Sequence, residues 1–466
     1  MSKKKRILRW VGGIVAVAIL VPSVYLLITG EIGYFDLLKA SRELDATLKE
    51  SERLGLPMTA ADLEPNPPVP DADNAALIVA PAVQNLPLIS SSSTLLLSGA
   101  DPERRAKLIQ ELSDHRATIR TVEHGLIRDQ WYFSRNWDEG VLAVFPEYLK
   151  YKSTARLLSS EALQLALKDK PEEALSRFIA GRRLAKFCTS EPTMIGILVG
   201  IACDAIMLRA AENLTEVWAS DNAKLERLAN AVNSTRFTID PRSMFRTEFY
   251  AALNFARNYE EFGGLKGIEA LSSGAEWVKS GDTQIATDST IPPDLSKLKK
   301  SGTPDDITAR AIMNPICKIW NSVFKKWGKN APRSGEWGPY IQAMSDDLRE
   351  SKKASSMFAS VFFPVFDQAD LACVKQEWYP NLSLALIRAL QYRNRTGHFP
   401  KSLAEINIDS ADPLSGDSLR YIVDNDGIQI YSIGPDKVDN GGPLMRKNKP
   451  DIGVVFPSSR RNKTNE

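Results

Sequence analysis

The sequence predicts a mostly α-helical protein with one N-terminal transmembrane helix, an irregular α-helical extracytoplasmic domain and a small C-terminal α+β hairpin module. Three observations predict it. Lys3, Lys4, Lys5, Arg6 and Arg9 flank an apolar run from Ile7 to Ile28 that carries no acidic side chain. Apolar residues recur at helical spacing through most of the chain. Strand chemistry enters only after Pro400.

At about 1.5 Å rise per residue the run 7–28 crosses a hydrocarbon core of about 30 Å once. The basic flank keeps residues 1–6 in the cytoplasm and sends the remainder across, which predicts a single-pass protein of the cell inner membrane with its bulk periplasmic. A removable signal peptide has a shorter apolar stretch of about 7–15 residues ending at small side chains. Here Tyr25, Leu26, Leu27 and Ile28 occupy that place, so an uncleaved anchor is expected. Ile195 to Met207 is also apolar, but Asp204 interrupts it, and it reads as a buried helix of a folded domain.

Residues 29–72 read as a juxtamembrane helix, Tyr34 to Leu54, followed by a Pro-rich spacer from Glu64 to Pro70 that cannot be helical. Residues 73–380 read as a helical domain. Within it, Ser153 to Lys168 and Pro171 to Phe187 form a hairpin broken at Asp169-Lys170. Ala162 and Leu165 set against Ala174, Phe178 and Gly181 echo one tetratricopeptide-like repeat, too few for a solenoid. Helices are expected again over Ile195 to Leu214, Asn222 to Val232, Met244 to Tyr259, Asp305 to Trp327 and Met344 to about Arg395. A Gly-, Ser-, Thr- and Asp-rich stretch, 272–304, reads as an insertion, and 457–466 as a disordered tail.

The charge balance excludes some functions. With 59 basic and 57 acidic residues interspersed, no basic face offers itself to nucleic acid. Cys188, Cys203, Cys317 and Cys373 stand apart in apolar helical surroundings, without a C-x-x-C pair, and are expected to be small buried thiols. An oxidising compartment would still permit a Cys188–Cys203 or a Cys317–Cys373 bridge. The imidazoles are His115, His124 and His398, and neither His115 beside Asp114 nor His124 beside Glu123 makes an acid–base pair, because adjacent helical residues point apart. Asp346, Asp347 and Glu350 read as a solvated acidic face, and Trp131, Tyr132, Phe133 and Trp137 as packing aromatics.

Residues 381–456 form the predicted C-terminal module. Tyr392 to Gly397 ends a helix, Phe399-Pro400 stops it, and Asp412-Pro413 turns toward two short strands, Leu419 to Val423 and Gly427 to Ser432, joined through Asn425-Asp426-Gly427 as an antiparallel hairpin. Ser432-Ile-Gly-Pro-Asp436 and a late Asp451-Ile452 follow. In their order these elements, over about residues 385–456, resemble the globular head of type II secretion major pseudopilins. The chain lacks that family's prepilin-peptidase site and its early Glu, and some three hundred residues intervene between the apolar run and the head, so a filament subunit is not expected. The whole layout is similar to a group of membrane-anchored bacterial envelope proteins. In the pseudopilins the Gly-rich acidic loop binds calcium. The resemblance therefore implies a structural calcium site at Asp436, Asp439 and Asp451, completed by Ser432 and loop carbonyls, in keeping with the oxygen-rich shell that calcium takes.

The expected function is that of a non-enzymatic structural or interaction protein of the bacterial envelope, linked to secretion-type or surface components and partnered by the membrane and other envelope proteins. An extracytoplasmic hydrolase whose site is assembled from scattered residues is the alternative, and it requires His115 or His124 to converge with a carboxylate and a hydroxyl.

Overall fold

The computed structural model describes residues 34–97, 101–142, 145–258, 261, 307–327, 353–425, 427–443 and 451–458. The expected cytoplasmic head and anchor, the insertion 272–304, the acidic face at Asp346, Asp347 and Glu350, and the tail beyond 458 lie outside these residues.

The described chain is helical up to its last sixty residues. The helices are α1 (Tyr34–Arg53), α2 (Ala76–Val83), α3 (Pro102–Asp114), α4 (Arg116–Gly125), α5 (Tyr148–Leu167), α6 (Pro171–Ser190), α7 (Met194–Val217), α8 (Asn222–Ser234), α9 (Arg242–Arg257), α10 (Ile307–Trp327) and α11 (Lys353–Thr396). Caps follow local chemistry. Asp101 accepts the amides of Glu103 and Arg104 at the start of α3, Asp221 those of Ala223 and Lys224 at α8, and the Thr193 hydroxyl that of Gly196 at α7. Pro102 and Pro171 occupy first-turn positions, where a missing N–H costs nothing. Between α5 and α6 the chain reverses at Asp169, whose φ of 56° is left-handed.

The expected α5–α6 hairpin is present, but it is two parts of a three-helix layer. α7 packs against both, and a Cβ at Gly181 would strike the Met207 side chain on α7, so Gly181 serves that contact rather than the α5–α6 one. Helix α7 is the one described helix long and apolar enough to cross a membrane, judged by length and composition. Asp204, Glu212, Asn213 and Thr215 along it are all buried, and its Cys203, Met207 and Leu214 belong to the same cluster as Leu158, Phe178 and Leu184 of α5 and α6.

Among the described residues the buried apolar side chains form three clusters. One joins α1, α9 and α10 through Leu44, Phe249, Met313 and Trp320. The second fills the space among α2 to α8. The third lies between α11 and the sheet. Helix α11 serves all three: Ala369 and Cys373 enter the first, Leu384, Ile387 and Leu390 face the α2–α8 core, and Leu382, Ala385, Leu386 and Ala389 face the sheet. It is continuous across 380/381, where the sequence suggests the start of a module, because two apolar stripes at helical spacing need one rigid element between two cores.

The sheet has three antiparallel strands in the order β1 (Arg420–Asp424), β2 (Gly427–Ser432), β3 (Ile452–Phe456). The expected hairpin is observed, with Asp424 opposite Gly427 across a two-residue loop. Gly427, at φ 141°, also brings its backbone against the Phe456 carbonyl, which leaves no room for a Cβ. Strand β3 is an addition to the expectation: Gly453 lets it lie against Tyr431, and its Val454 and Val455 are buried on opposite faces.

Candidate functional site

A dense polar constellation is centred on Arg135. The extended segment after α4 carries Trp131, Phe133 and Arg135, the start of α5 supplies Glu147, Tyr148 and Tyr151, and the sharp α6–α7 connection supplies Glu191 and Thr193. The guanidinium is 2.7 Å from Glu147 through Nη1 and 2.8 Å from Glu191 through Nη2. It lies over the rings of Phe133, Phe145 and Tyr148 at 4.9, 4.6 and 5.2 Å, with Phe145 stacked on Tyr148. Glu191 also accepts from Trp131 Nε1 at 2.7 Å and from the Tyr148 hydroxyl at 3.3 Å. Trp131 itself stacks on Phe187 and meets Tyr151 edge-on, so the aromatics pack as the sequence implies.

Burial alone would disfavour the Arg135 charge, but Glu191, Tyr148 and Glu147 outweigh it and hold its pKa above the ordinary arginine value. Burial, reinforced by Glu191, pushes the Tyr148 and Tyr151 phenols well up and keeps them protonated. A further carboxyl approaches the same corner from α9: Glu248 accepts the Met194 N–H at the start of α7 at 3.1 Å, and burial raises its pKa to about 7. Glu191 is thus held by an indole, a guanidinium and a phenol, an arrangement that fixes three elements in register.

One more buried arginine–carboxylate joint ties α6 to α7. Arg182 meets Asp204 with both side chains wholly buried, and Asp204 also accepts from Gln376 of α11, while Arg182 donates to the Thr235 carbonyl and hydroxyl. Burial raises the Asp204 pKa, and Arg182 opposes that rise. At the other end of α7, the Tyr379 hydroxyl lies 2.8 Å from Glu212 and 2.9 Å from the Gly453 carbonyl, tying β3 to the helices.

The structure does not bring the expected calcium ligands together. Among the described residues no three of His, Cys, Asp and Glu are grouped so as to hold a metal. Ser432 Oγ accepts the Gly434 N–H at 2.9 Å, and exposed Asp436 accepts the Val438 N–H at 3.3 Å. Asp439 accepts from Gly441 N–H at 2.9 Å and the Tyr431 hydroxyl at 3.2 Å, with Arg420 at 3.6 Å. Asp451 accepts the Asn440 and Gly442 amides at 3.0 and 2.8 Å. The physical reason is local: a Gly-rich loop exposes its own amides, and each carboxylate organises the turn nearest to it.

His124 is exposed, His115 stands at the junction of α3 and α4, and His398 is exposed beside the Phe399 carbonyl at 3.0 Å. None of them joins the Arg135 constellation. Glu123, next to His124, is engaged by Ser176 and Arg177 instead. The four cysteines are free and buried, with the Cys188 and Cys203 thiols close enough to hydrogen-bond. Reading the sequence missed Arg135, Glu147, Glu191 and Glu248. The available signal was a charged residue inside an aromatic run, Phe133 to Trp137, and a glutamate between two apolar helices at Ser190-Glu-Pro192. No protein-family model, curated protein or solved structure matches the chain.

Proposed function

We propose that the chain is a membrane-anchored structural or interaction protein of the bacterial envelope, single-pass in the inner membrane with its bulk periplasmic. The observation that carries this reading is the seating of α1, the helix that follows the apolar run, along α10. Thr47 Oγ1 donates to Asn314 at 2.7 Å, Asn321 donates to the Thr47 carbonyl at 2.9 Å, and Arg310 reaches Ser41 and Asp45, while Leu44 and Leu48 enter the core. The helix that follows the expected anchor is thus fixed to the body, as suits a protein that holds a partner near the membrane. The buried arginine–carboxylate joints support the same reading, because their groups are spent on holding helices together. The C-terminal module, with its pseudopilin-head-like order of elements, is the part assigned to engaging secretion-type or surface components.

The test is topology. A periplasm-active reporter fused after Glu466 should be active and the protein should stay with the membrane fraction. Activity from a cytoplasmic reporter alone, or a shortened soluble form, would overturn the reading.

A further inference from the structure

We propose that the outer edge of β1 pairs antiparallel with β1 of a second copy of this chain, about a two-fold axis at Ile422, to make one six-stranded sheet. Beyond β1 the sheet has no further described strand. Arg420, Ile422, Val423 and Asp424 are exposed, although β2 beside them is buried along its whole length. Such an edge is a template for another strand.

The register follows from the ladder already present. Asp424 and Gly427 flank a two-residue hairpin loop and therefore exchange both backbone bonds, and the alternation of an antiparallel pair makes Ile422–Gln429 and Arg420–Tyr431 bonded pairs as well. The N–H and C=O groups of Tyr421 and Val423 consequently point away from β2. A second β1 centred on Ile422 sets Tyr421 opposite the other copy's Val423 and Val423 opposite its Tyr421, so both pairs meet with bonding groups facing. Ile422 then stands opposite itself in a non-bonded pair, the kind in which side chains come closest.

Charge complementarity selects this occupant. In the same register Arg420 lies opposite Asp424 of the second copy on the Ile422 face, twice by symmetry, so the strand's own sequence is self-complementary. The Arg420–Asp439 contact at 3.6 Å is exposed and leaves the rest of the guanidinium fork for the partner. At the other end, the Leu419 N–H already donates to Ser410 at 2.7 Å, and Ala411 bridges Ser418. The available edge therefore begins at Arg420, and sliding the pair by two residues would sacrifice the charge match. Five-residue strands bury little area, so the dimer is reversible. It does not depend on the anchor proposed above.

The experiment is oxidative trapping of the full chain carrying Ile422→Cys. Paired Cβ atoms in a non-bonded position lie within reach of a disulfide, and the four native cysteines are buried and do not compete. Copper-phenanthroline treatment should convert Ile422→Cys to a disulfide-linked dimer of two identical chains, while wild type and the more exposed control Val438→Cys stay monomeric. Adding Arg420→Glu should abolish the dimer, and adding Asp424→Arg to that variant should restore it. A monomer, adducts to other proteins only, trapping no faster than in Val438→Cys, or a charge swap that fails to rescue would each overturn the proposal.

Discussion

Arg182 and Asp204 face each other between α6 and α7 with neither side chain reaching solvent, and the pair is roofed by Gln376 from α11. Two charges taken out of water in this way hold their place only together. Asp204→Ala leaves a buried guanidinium without its counter-charge and should cost about 3–5 kcal/mol in equilibrium denaturation. The double variant Arg182→Met, Asp204→Leu should recover most of that loss, since an apolar pair of similar volume removes the desolvation penalty. A double variant as unstable as Asp204→Ala would show that the site needs its hydrogen bonds, not only its charge balance.

Glu248 gives the stability a pH dependence of unusual sign for a carboxylate. Its folded pKa, about 7, stands above the ordinary 4.5, so the native state holds this proton more tightly than the unfolded chain does. The resulting stabilisation is complete below about 4.5 and is lost as pH rises through about 7. Glu248→Gln keeps an acceptor for the Met194 N–H and removes the titration. Melting curves should show the variant close to wild type at pH ~5 and exceeding it at pH ~8, by roughly 2–3 kcal/mol for a shift of this size. Parallel curves at both values would assign the proton elsewhere.

At Gly200 the backbones of α6 and α7 lie close together. A Cβ there would sit 2.7 Å from the Thr189 nitrogen and 2.8 Å from the Ala185 carbonyl, and backbone cannot swing aside as a side chain can. Although alanine is the better helix former, Gly200→Ala should destabilise by about 1–3 kcal/mol. A neutral or stabilising outcome would mean that the helices separate without penalty.

Asp451 organises its loop by accepting the Asn440 and Gly442 amides. Asp451→Ala should lower the denaturation midpoint, with the loss of about 1–3 kcal/mol expected for buried donors left unpaired. The loss should be the same in chelator and in millimolar calcium. A deficit that appears only when calcium is present would restore the metal reading of Asp436, Asp439 and Asp451.

The elements read most easily from the sequence were those whose signals are local. Tyr34 to Arg53, the α5–α6 hairpin and the turn before Gly427 are written in helical spacing, a first-turn proline and two-residue hairpin chemistry. What escaped depends on residues far apart in the chain. Trp131 and Glu191 meet across sixty positions, and Glu248 reaches the same corner from α9. Likewise, nothing near Asp451 reveals that its carboxylate will face two amides of the preceding loop instead of Asp436 and Asp439. The third strand was hidden because five residues with a glycine among them carry too little periodicity to distinguish strand from loop.

The seating of α1 on α10 also orders the protein's birth. Thr47 and its partner Asn314 are 267 residues apart. At a synthesis rate of about 5–20 residues per second, the first helix waits roughly 15–50 s for the surface that will bury Leu44 and Leu48. During that interval it is an unsheltered amphipathic segment, and its partner helix emerges only after the α5–α7 layer has been synthesised and before α11 and the sheet that complete the other two cores.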